Sequence, residues 1–424
     1  MRILAANYRY FISGGPERYL FNVSDALRSR NHEVVPFSIC YEQNVATPYS
    51  SYFASPIGAP GEVYLRDQRR TPRSLIKTVS RSVYSFEVER AIARLCSQTK
   101  PEVAYVLHYL RKLSPSLLVG LKKSGVPIVV RLSDYGMLCP QAHMLRESQP
   151  CRLCVNGDLL PSIKHKCVQG SRMASTINAF ASWFHRWRSY FDLVDTFVVT
   201  NRFMQQQMLS AGYAENRVRL IPTFVNTTNF HGSQTKENYI AYSGRLEFIK
   251  GLHILIDSLV RLHQSRPDLA WTLRIAGTGD PGYVDSLKAR LQASDLAHRV
   301  EFVGNLDQRG LAEFVARARL QVIPSIWYEN LPNSLLEAFA SRTPVVASAI
   351  GSLQDAIVDG QTGFLFAPGD AEALAKVLAR ALDSTESELT RMASRARTLA
   401  ETDYSEQRHI EALEALLVSI AHVS

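Results

Sequence analysis

The strongest constraint on the fold is an alternation of short apolar runs with helix-length segments, which appears twice along the chain. The first series of runs occupies residues 2–6, 33–39, 103–107, 127–132, 196–200 and 218–221. The second occupies residues 239–243, 271–276, 300–303, 320–323, 344–347 and 363–366. Such runs are typical of strands buried on both faces, and the helices between them make neighbouring strands parallel. The pattern predicts an α/β protein with two Rossmann-like domains that face each other across a cleft.

The length of 424 residues also favours two domains, because a single hydrophobic core rarely grows that large. We expect an N-terminal domain over residues 1–222, a polar linker over 223–236 and a C-terminal domain over 237–403. The last segment, 404–424, is expected to form an amphipathic helix. Ligands of such domains bind at the carboxyl ends of the strands, where the loops gather.

The composition is that of a soluble globular protein, with 46% apolar and 21% charged residues. No apolar run is long enough to span a bilayer. The first ten residues have the pattern of a buried strand and lack the apolar core of a signal peptide. We therefore expect a cytoplasmic protein.

The net charge of +9 is concentrated in two segments. The first is residues 66–81, whose basic side chains are Arg66, Arg69, Arg70, Arg73, Lys77 and Arg81, against the single acidic residue Asp67. The second is residues 183–188, with the sequence WFHRWR. Both segments suit peripheral contact with the anionic inner face of a membrane, or an anionic acceptor, and both suit ordinary solvated helix faces equally well.

The most informative stretch is residues 324–348, PSIWYENLPNSLLEAFASRTPVVAS. Its pattern predicts a strand end, a loop, a helix that begins near Asn333 and a second strand. Backbone amides at the start of the helix can bind an anion; the candidates are Asn330, Leu331, Asn333 and Ser334. Glu329 and Glu337 can accept hydrogen bonds from hydroxyl groups. An anion next to several hydroxyls describes a nucleotide sugar, whereas the alternative is a capped surface helix with two solvated glutamates.

Two cations follow the first strand of the C-terminal series, in the segment SGRLEFIKG. Gly244 lets the chain turn there, and Arg245 and Lys250 can together stabilise the negative charge of a leaving phosphate. The alternative is a basic pair on the surface. The chain has no Asp-x-Asp pair to hold a catalytic divalent ion, so we expect the two cations to take that role without a catalytic metal. The next strand ends in a turn that contains Gly277 and Gly279, which alone is a weak signal.

Together these segments resemble the donor site of the retaining family 4 glycosyltransferases, which have the GT-B fold. The resemblance rests on GR-x4-KG at 244–251, on E-x7-E at 329–337 and on LEA-x-A-x3-PVVAS at 336–348. It implies that Arg245 and Lys250 hold the diphosphate of a UDP-, GDP- or ADP-linked sugar. It also implies that Glu337 holds the ribose hydroxyls, that Glu329 lies near the transferred sugar, and that Gly277 and Gly279 lie beside the base.

The resemblance extends more weakly to the N-terminal half. Gly14 and Gly15 match a loop that touches the donor phosphate and the acceptor from across the cleft, although a tight turn would look the same. Asp134 matches an acceptor-side position, whereas Ser133 stands where many members have a histidine. His108 suits a structural role as well as a functional one. In the family the closing helix returns to the N-terminal domain.

Four of the six cysteines are clustered in the sequence, at Cys139, Cys151, Cys154 and Cys167. A C-x2-C pair with two further cysteines suits a structural zinc site that staples the insertion 139–170 beside the acceptor side of the cleft. An iron–sulfur cluster, two disulfides or free thiols are alternatives, and His143 or His165 could replace one cysteine. The insertion is similar to that of a subset of the same family.

The function implied by the resemblance is transfer of a hexose, with retention of configuration, to a glycan or lipid-linked acceptor in surface polysaccharide or glycolipid assembly. A glycoside phosphorylase or a sucrose-synthase-like enzyme on the same fold is one alternative. A nucleic-acid-binding protein built on the four-cysteine site, favoured by the positive charge, is an alternative from another class. The partners expected for the first function are a nucleotide sugar and an acceptor, with no nucleic acid.

Overall fold

The computed structural model describes residues 1–63, 71–233 and 235–422, which form two α/β domains. Each domain contains a six-stranded sheet with helices packed on it, and every pairing within these two sheets is parallel. The predicted class, two Rossmann-like domains, is confirmed.

The N-terminal domain contains the strands β1 (Arg2–Ala6), β2 (Glu33–Phe37), β3 (Val103–Val106), β4 (Ile128–Arg131), β5 (Leu145–Arg146), β6 (Gln149–Pro150), β7 (Thr196–Val199) and β8 (Val218–Leu220). Its helices are α1 (Gly15–Ser29), α2 (Pro72–Val83), α3 (Phe86–Thr99), α4 (Ser116–Lys123), α5 (Leu160–Lys164), α6 (Arg172–Trp187) and α7 (Arg202–Ser210). The sheet order is β2-β1-β3-β4-β7-β8, and β5 and β6 form a separate antiparallel hairpin.

The C-terminal domain contains the strands β9 (Glu237–Ser243), β10 (Thr272–Ala276), β11 (Val300–Gly304), β12 (Ala318–Ile323), β13 (Val345–Ser348) and β14 (Phe364–Phe366). Its helices are α8 (Leu252–Ser265), α9 (Pro281–Ala293), α10 (Gln308–Arg317), α11 (Asn333–Ala340), α12 (Gly351–Ala356), α13 (Ala371–Asp383) and α14 (Glu386–Thr402). The sheet order is β11-β10-β9-β12-β13-β14.

The last helix, α15 (Glu406–His422), follows the C-terminal domain in sequence but packs on the N-terminal one. Its apolar stripe, Ile410, Leu413 and Leu417, is buried in the same core cluster as β1 and β3. At its polar edge, Glu414 accepts a 2.7 Å hydrogen bond from Arg30 of α1's C-terminal end. Among the described residues, no helix has the length and apolarity that crossing a membrane requires.

Candidate active site

The C-terminal sheet reverses its strand order between β9 and β12, and ligands of such sheets bind at this switch point. β9 and β12 both end there, so the loop 244–251 and the loop 324–332 become neighbours. The amide of Ile326 donates a 3.0 Å hydrogen bond to the carbonyl of Ile249, which ties the two loops together. The topology therefore brings the cationic and the acidic motif of the sequence to one place.

The glycines of these loops allow backbone to pack directly against backbone. A Cβ on Gly251, where φ is +73°, would lie 1.8 Å from the carbonyl oxygen of Pro324. A Cβ on Gly277 would lie 1.9 Å from the carbonyl oxygen of Gly244, and one on Gly279 would lie 1.9 Å from that of Leu246. No side chain fits at such distances, so these glycines hold the strand-end loops against one another.

Lys250 and Glu329 form an ion pair at the junction of the two loops. The ammonium group of Lys250 lies 2.7 Å from Oε1 of Glu329, which also accepts a 2.6 Å hydrogen bond from Ser325. Glu329 is 3% exposed, and a carboxylate buried to this degree depends on its partner. The ring centroid of Trp327 lies 5.4 Å from the same ammonium group. Lys250 is thus held at the switch point between the carboxylate of Glu329 and the ring of Trp327.

Arg245 has a different environment, since its side chain is 60% exposed. Its Nη1 atom lies 2.6 Å from Oε1 of Glu247, two residues further along. Exposed pairs of this kind contribute little free energy, so the guanidinium group can turn towards a bound phosphate at small cost.

Glu337 lies in the second turn of α11 and is buried, with only 10% of its side chain exposed. Burial raises the pKa of Glu337 to about 7, although the positive charge of Arg18 acts in the opposite direction. The Nη1 atom of Arg18, in the first turn of α1, is 3.9 Å from the carboxylate. Near neutral pH this carboxyl group is protonated in some molecules and ionised in others. The protonated form can donate a hydrogen bond to a hydroxyl group, and both forms can accept one from it.

The N-termini of two helices lie together in the cleft. α1 begins at Gly15 and α11 at Asn333, and a Cβ on Gly15 would lie 3.2 Å from the side-chain nitrogen of Asn333. Gly14 is the residue immediately before α1. The first amides of each helix, including those of Asn333 and Ser334, lack intrahelical partners, and both helix dipoles favour an anion at this end. The two helix N-termini therefore lie in the same part of the cleft, where the first turn of α1 also holds the buried side chain of Glu17.

Asn330 bridges the two domains through its side chain. Its amide nitrogen donates to the carbonyl of Leu132 at 2.9 Å, and its amide oxygen accepts from Thr200 at 2.5 Å and from Asn201 at 3.1 Å. The adjacent Leu331 differs from the prediction. Its amide does not face an anion site but donates a 3.0 Å hydrogen bond to Ser352 within the C-terminal domain.

A histidine–aspartate pair forms on the N-terminal side of the cleft from two different strand ends. Nε2 of His108, after β3, lies 3.3 Å from Oδ2 of Asp134, after β4. Burial would raise the pKa of Asp134, but the hydrogen bond to His108 and the amide of Gly136 lower it to about 2. An imidazole from the neighbouring strand thus lies beside Asp134, although residue 133 is a serine.

The four clustered cysteines line one small cavity of about 10 Å³, and all six cysteines of the chain are free of disulfides. Burial raises the pKa of the Cys154 thiol to about 12, and the neighbouring thiols of Cys139 and Cys151 add to this effect. Among the residues that the structure describes, no group of three or more His, Cys, Asp and Glu side chains is arranged to hold a metal ion. The predicted two-disulfide alternative is absent from this structure.

The two candidate substitute histidines lie outside that cavity. His165 interacts with Glu147, with Nδ1 3.2 Å from the carboxylate. The ring of His143 packs edge-on against Trp327, with centroids 5.1 Å apart. The insertion therefore reaches the C-terminal side of the cleft, because Trp327 also flanks Lys250.

Several of these contacts were absent from the sequence-based prediction, namely Arg18 with Glu337, Thr200 and Asn201 with Asn330, and His143 with Trp327. Thr200 and Asn201 directly follow β7, so polar residues at the carboxyl end of a strand were a signal that could have found them. The contacts of Arg18 with Glu337 and of His143 with Trp327 join residues whose local sequence contains no signal of this kind.

Comparisons with known proteins show what the chain is similar to in sequence and in fold. Residues 226–399 match the family model described as Glycosyl transferases group 1. The glycogen synthase of Mycobacterium tuberculosis is 26% identical over 396 residues, which cover 90% of this chain and 86% of that protein. The phosphatidyl-myo-inositol mannosyltransferase of Mycobacterium leprae is 32% identical over 165 residues, which cover 37% of this chain and 42% of that protein.

Solved structures resemble the whole chain. Sucrose-phosphate synthase from Thermosynechococcus elongatus superimposes with a TM-score of 0.74 at 18% identity, covering 100% of both chains. Anabaena Alr3699/HepE in complex with UDP-glucose superimposes with a TM-score of 0.67 at 17% identity, covering 99% of this chain and 100% of that one. The two-domain architecture is thus the GT-B fold, and the family match over the C-terminal domain together with the curated relatives supports a glycosyltransferase on that fold.

Proposed function

We propose that the protein transfers a hexose from a nucleotide diphosphate sugar to a hydroxyl acceptor with retention of anomeric configuration. One observation carries this proposal: three features lie in the same cleft. They are the Lys250–Glu329 ion pair, Glu337 with its pKa raised to about 7, and the N-termini of α1 and α11. A diphosphate needs cations and helix amides, and a sugar or ribose needs carboxylates to accept hydrogen bonds from its hydroxyls.

In this proposal each group of the donor has its own partner. The diphosphate lies at the two helix N-termini, within reach of Lys250 and of Arg245, which turns inward from its exposed pair with Glu247. Glu337 binds the ribose hydroxyls, and Glu329 lies beside the transferred sugar. Binding of UDP and UDP-glucose by the structural neighbour HepE supports a nucleotide sugar as the donor.

The acceptor hydroxyl attacks the anomeric carbon from the face that the leaving phosphate occupies. The bond between that carbon and the phosphate oxygen breaks, its electrons stay on the oxygen, and the same oxygen takes the proton of the attacking hydroxyl. Asp134, with a pKa of about 2, stays ionised and positions hydroxyls rather than removing a proton. Lys250, Arg245 and the helix amides stabilise the charge on the leaving nucleotide in place of a metal ion.

We propose an acceptor from surface polysaccharide or glycolipid assembly. The support is that relatives include the lipopolysaccharide core mannosyltransferase LpsB of Rhizobium meliloti, 30% identical over 157 residues. The side chains that would meet the acceptor are Asp134 and His108, on the N-terminal side of the cleft.

A thermal-shift screen of UDP-, GDP- and ADP-sugars tests donor binding, since a ligand that binds the folded state raises the unfolding temperature. A transfer assay with the stabilising donor then tests the reaction. Glu337→Ala and Lys250→Ala should abolish transfer, whereas the surface control Glu215→Ala should not. Cleavage of a glycoside by inorganic phosphate would instead indicate a phosphorylase, and salt-sensitive nucleic-acid binding without any donor effect would contradict the proposal.

We also propose that the four clustered cysteines hold a structural zinc ion. The support is that all four line one cavity; binding would require their sulfurs to close around it, since tetrahedral zinc takes four thiolates at about 2.3 Å. Elemental analysis should find one zinc ion per chain, lost in Cys154→Ser but retained in the control Cys40→Ser, whose cysteine lies outside the cluster. A chain with no metal, or with iron and the visible absorbance of an iron–sulfur cluster, would contradict zinc.

A further inference from the structure

A group of exposed apolar side chains on α2, α3 and α6 takes no part in the site described above. We call it the aromatic face; its members are Ile76, Val79, Phe86, Met173, Phe180, Trp183 and Trp187. The two tryptophans are 50% and 63% exposed. Within residues 235–422, by contrast, Phe248 and Val358 are the only large hydrophobic side chains exposed in this way. The exposed apolar surface is therefore concentrated on one domain.

The members on α6 form a single stripe. Met173, Phe180, Trp183 and Trp187 follow one another at intervals of seven, three and four residues, which places them on one side of a helix. The other side of α6 faces the protein, where Nε2 of His185 lies 2.8 Å from the carbonyl oxygen of Val83 at the end of α2. α6 is thus fixed to the domain by one side and leaves its most apolar side in solvent.

Ring contacts join this stripe to the start of α3. Trp183 and Trp187 are stacked, with centroids 5.7 Å apart and planes within 4°. From Trp187 the contacts continue through Phe184, Tyr190, Tyr84 and Phe86, each centroid 5.0–6.1 Å from the next. The exposed rings of α6 and Phe86 of α3 are therefore joined by packing, through the buried ring of Tyr190.

The charges around the aromatic face are mostly positive. The acidic side chains on its helices are Glu87 and Glu89 of α3, and each is paired with a basic side chain, Arg81 and Lys123 respectively. Neither α2 nor α6 contains an aspartate or glutamate. Arg172 and Arg188, at the two ends of α6, are exposed, and Arg188 also lies 5.9 Å from the Trp187 ring. Of the basic segment 66–81, Arg66, Arg69 and Arg70 lie outside the described residues. Arg81 differs from the expectation of a surface charge, because it is 1% exposed and pairs with Glu87. The surface offers apolar rings and cations to a partner with apolar and anionic parts.

We propose that the aromatic face lies on an anionic phospholipid bilayer, with Trp183 and Trp187 at the level of the headgroups. Tryptophan prefers this interface because its ring is apolar and its N–H is polar, and exposed arginines are attracted to anionic lipids. The helices need not span the bilayer, since a stripe of this kind enters only its boundary.

The aromatic face is connected to the acceptor side of the cleft. Arg186 of α6 donates a 3.0 Å hydrogen bond to the carbonyl of Met137, three residues after Asp134. A protein docked through α6 would hold Asp134 near the bilayer, so the acceptor would be a membrane-embedded molecule. This consequence rests on the proposed glycosyl transfer, whereas the membrane binding itself does not.

The test uses flotation of the whole protein with vesicles of phosphatidylcholine, with and without roughly 30% phosphatidylglycerol. We expect binding to the anionic vesicles and a blue shift of tryptophan emission, since Trp271 and Trp327 are already buried. Trp183→Ser with Trp187→Ser should weaken binding at least about tenfold and remove the shift. The matched control Val358→Ser, an exposed apolar residue of the other domain, should bind like the original protein.

Charge reversal tests the electrostatic part. Arg172→Glu with Arg188→Glu should weaken binding to anionic vesicles, as should added salt, whereas the surface control Arg395→Glu should not. Equal binding to neutral vesicles, unchanged binding of both double variants, or a dimer that the tryptophan substitutions dissociate would overturn the proposal. Retention of the donor thermal shift in every variant shows that a loss of membrane binding is not a loss of fold or of donor binding.

Discussion

Replacing Glu337 by glutamine is expected to stabilise the protein at alkaline pH. The pKa of this buried carboxyl group is about 7, against 4.5 for an ordinary glutamate. The folded state therefore binds this proton more tightly than the unfolded state does. The contribution of Glu337 to the free energy of unfolding is complete below pH 4.5 and is lost as the pH rises through about 7. At roughly 1.4 kcal/mol for each pH unit, the loss is about 3 kcal/mol by pH 8. Glutamine resembles the protonated acid and does not titrate, so Glu337→Gln should keep that stability.

The measurement is the free energy of unfolding from urea denaturation of both proteins between pH 4.5 and 8. The difference between Glu337→Gln and the original protein should be small at pH 4.5 and grow with pH. Glu215→Gln, which removes an exposed glutamate from the N-terminal domain, should show no such trend. A difference that is independent of pH would refute the argument, because it would mean that Glu337 is ionised with little penalty in the folded protein.

The remaining predictions concern the same cleft. Donor hydroxyls that bind Glu337 favour its ionised form. The affinity for a nucleotide-sugar donor, measured by calorimetry with UDP-glucose, should therefore rise about tenfold from pH 6 to pH 8. The rise should vanish in Glu337→Gln. Lys250→Ala should cost about 3 kcal/mol in urea unfolding because it leaves Glu329 buried without its partner, and adding Glu329→Ala should restore part of that stability but no transfer. A full recovery of transfer would show that Lys250 serves only to neutralise Glu329. His108→Gln should raise the pKa of Asp134 in a carboxyl NMR titration, and an unchanged pKa would mean that the pair contributes nothing in solution.

Much of the fold was predictable because its signals are local. Apolar runs such as 320–323 and 344–347 identify buried strands by composition alone, whereas the lateral strand order that creates the switch point is known only from the structure. The motif residues Lys250 and Glu329 could be assigned to strand ends, and parallel strands place such ends on one edge. Their direct pairing could not be predicted, because it depends on how the two loops pack around Gly251.

The sequence by itself determined the two parallel sheets, the strand-end motifs and the resemblance that they carry. These features depend on the periodicity of apolar residues and on the spacing of motif residues, and both can be read along the chain. Tertiary structure alone decided that His108 meets Asp134, that Asn330 bridges the domains, that burial raises the pKa of Glu337, and that Trp183 and Trp187 remain in solvent. These properties depend on which distant residues become neighbours and on how far each group is removed from water. No single stretch of the chain determines either one.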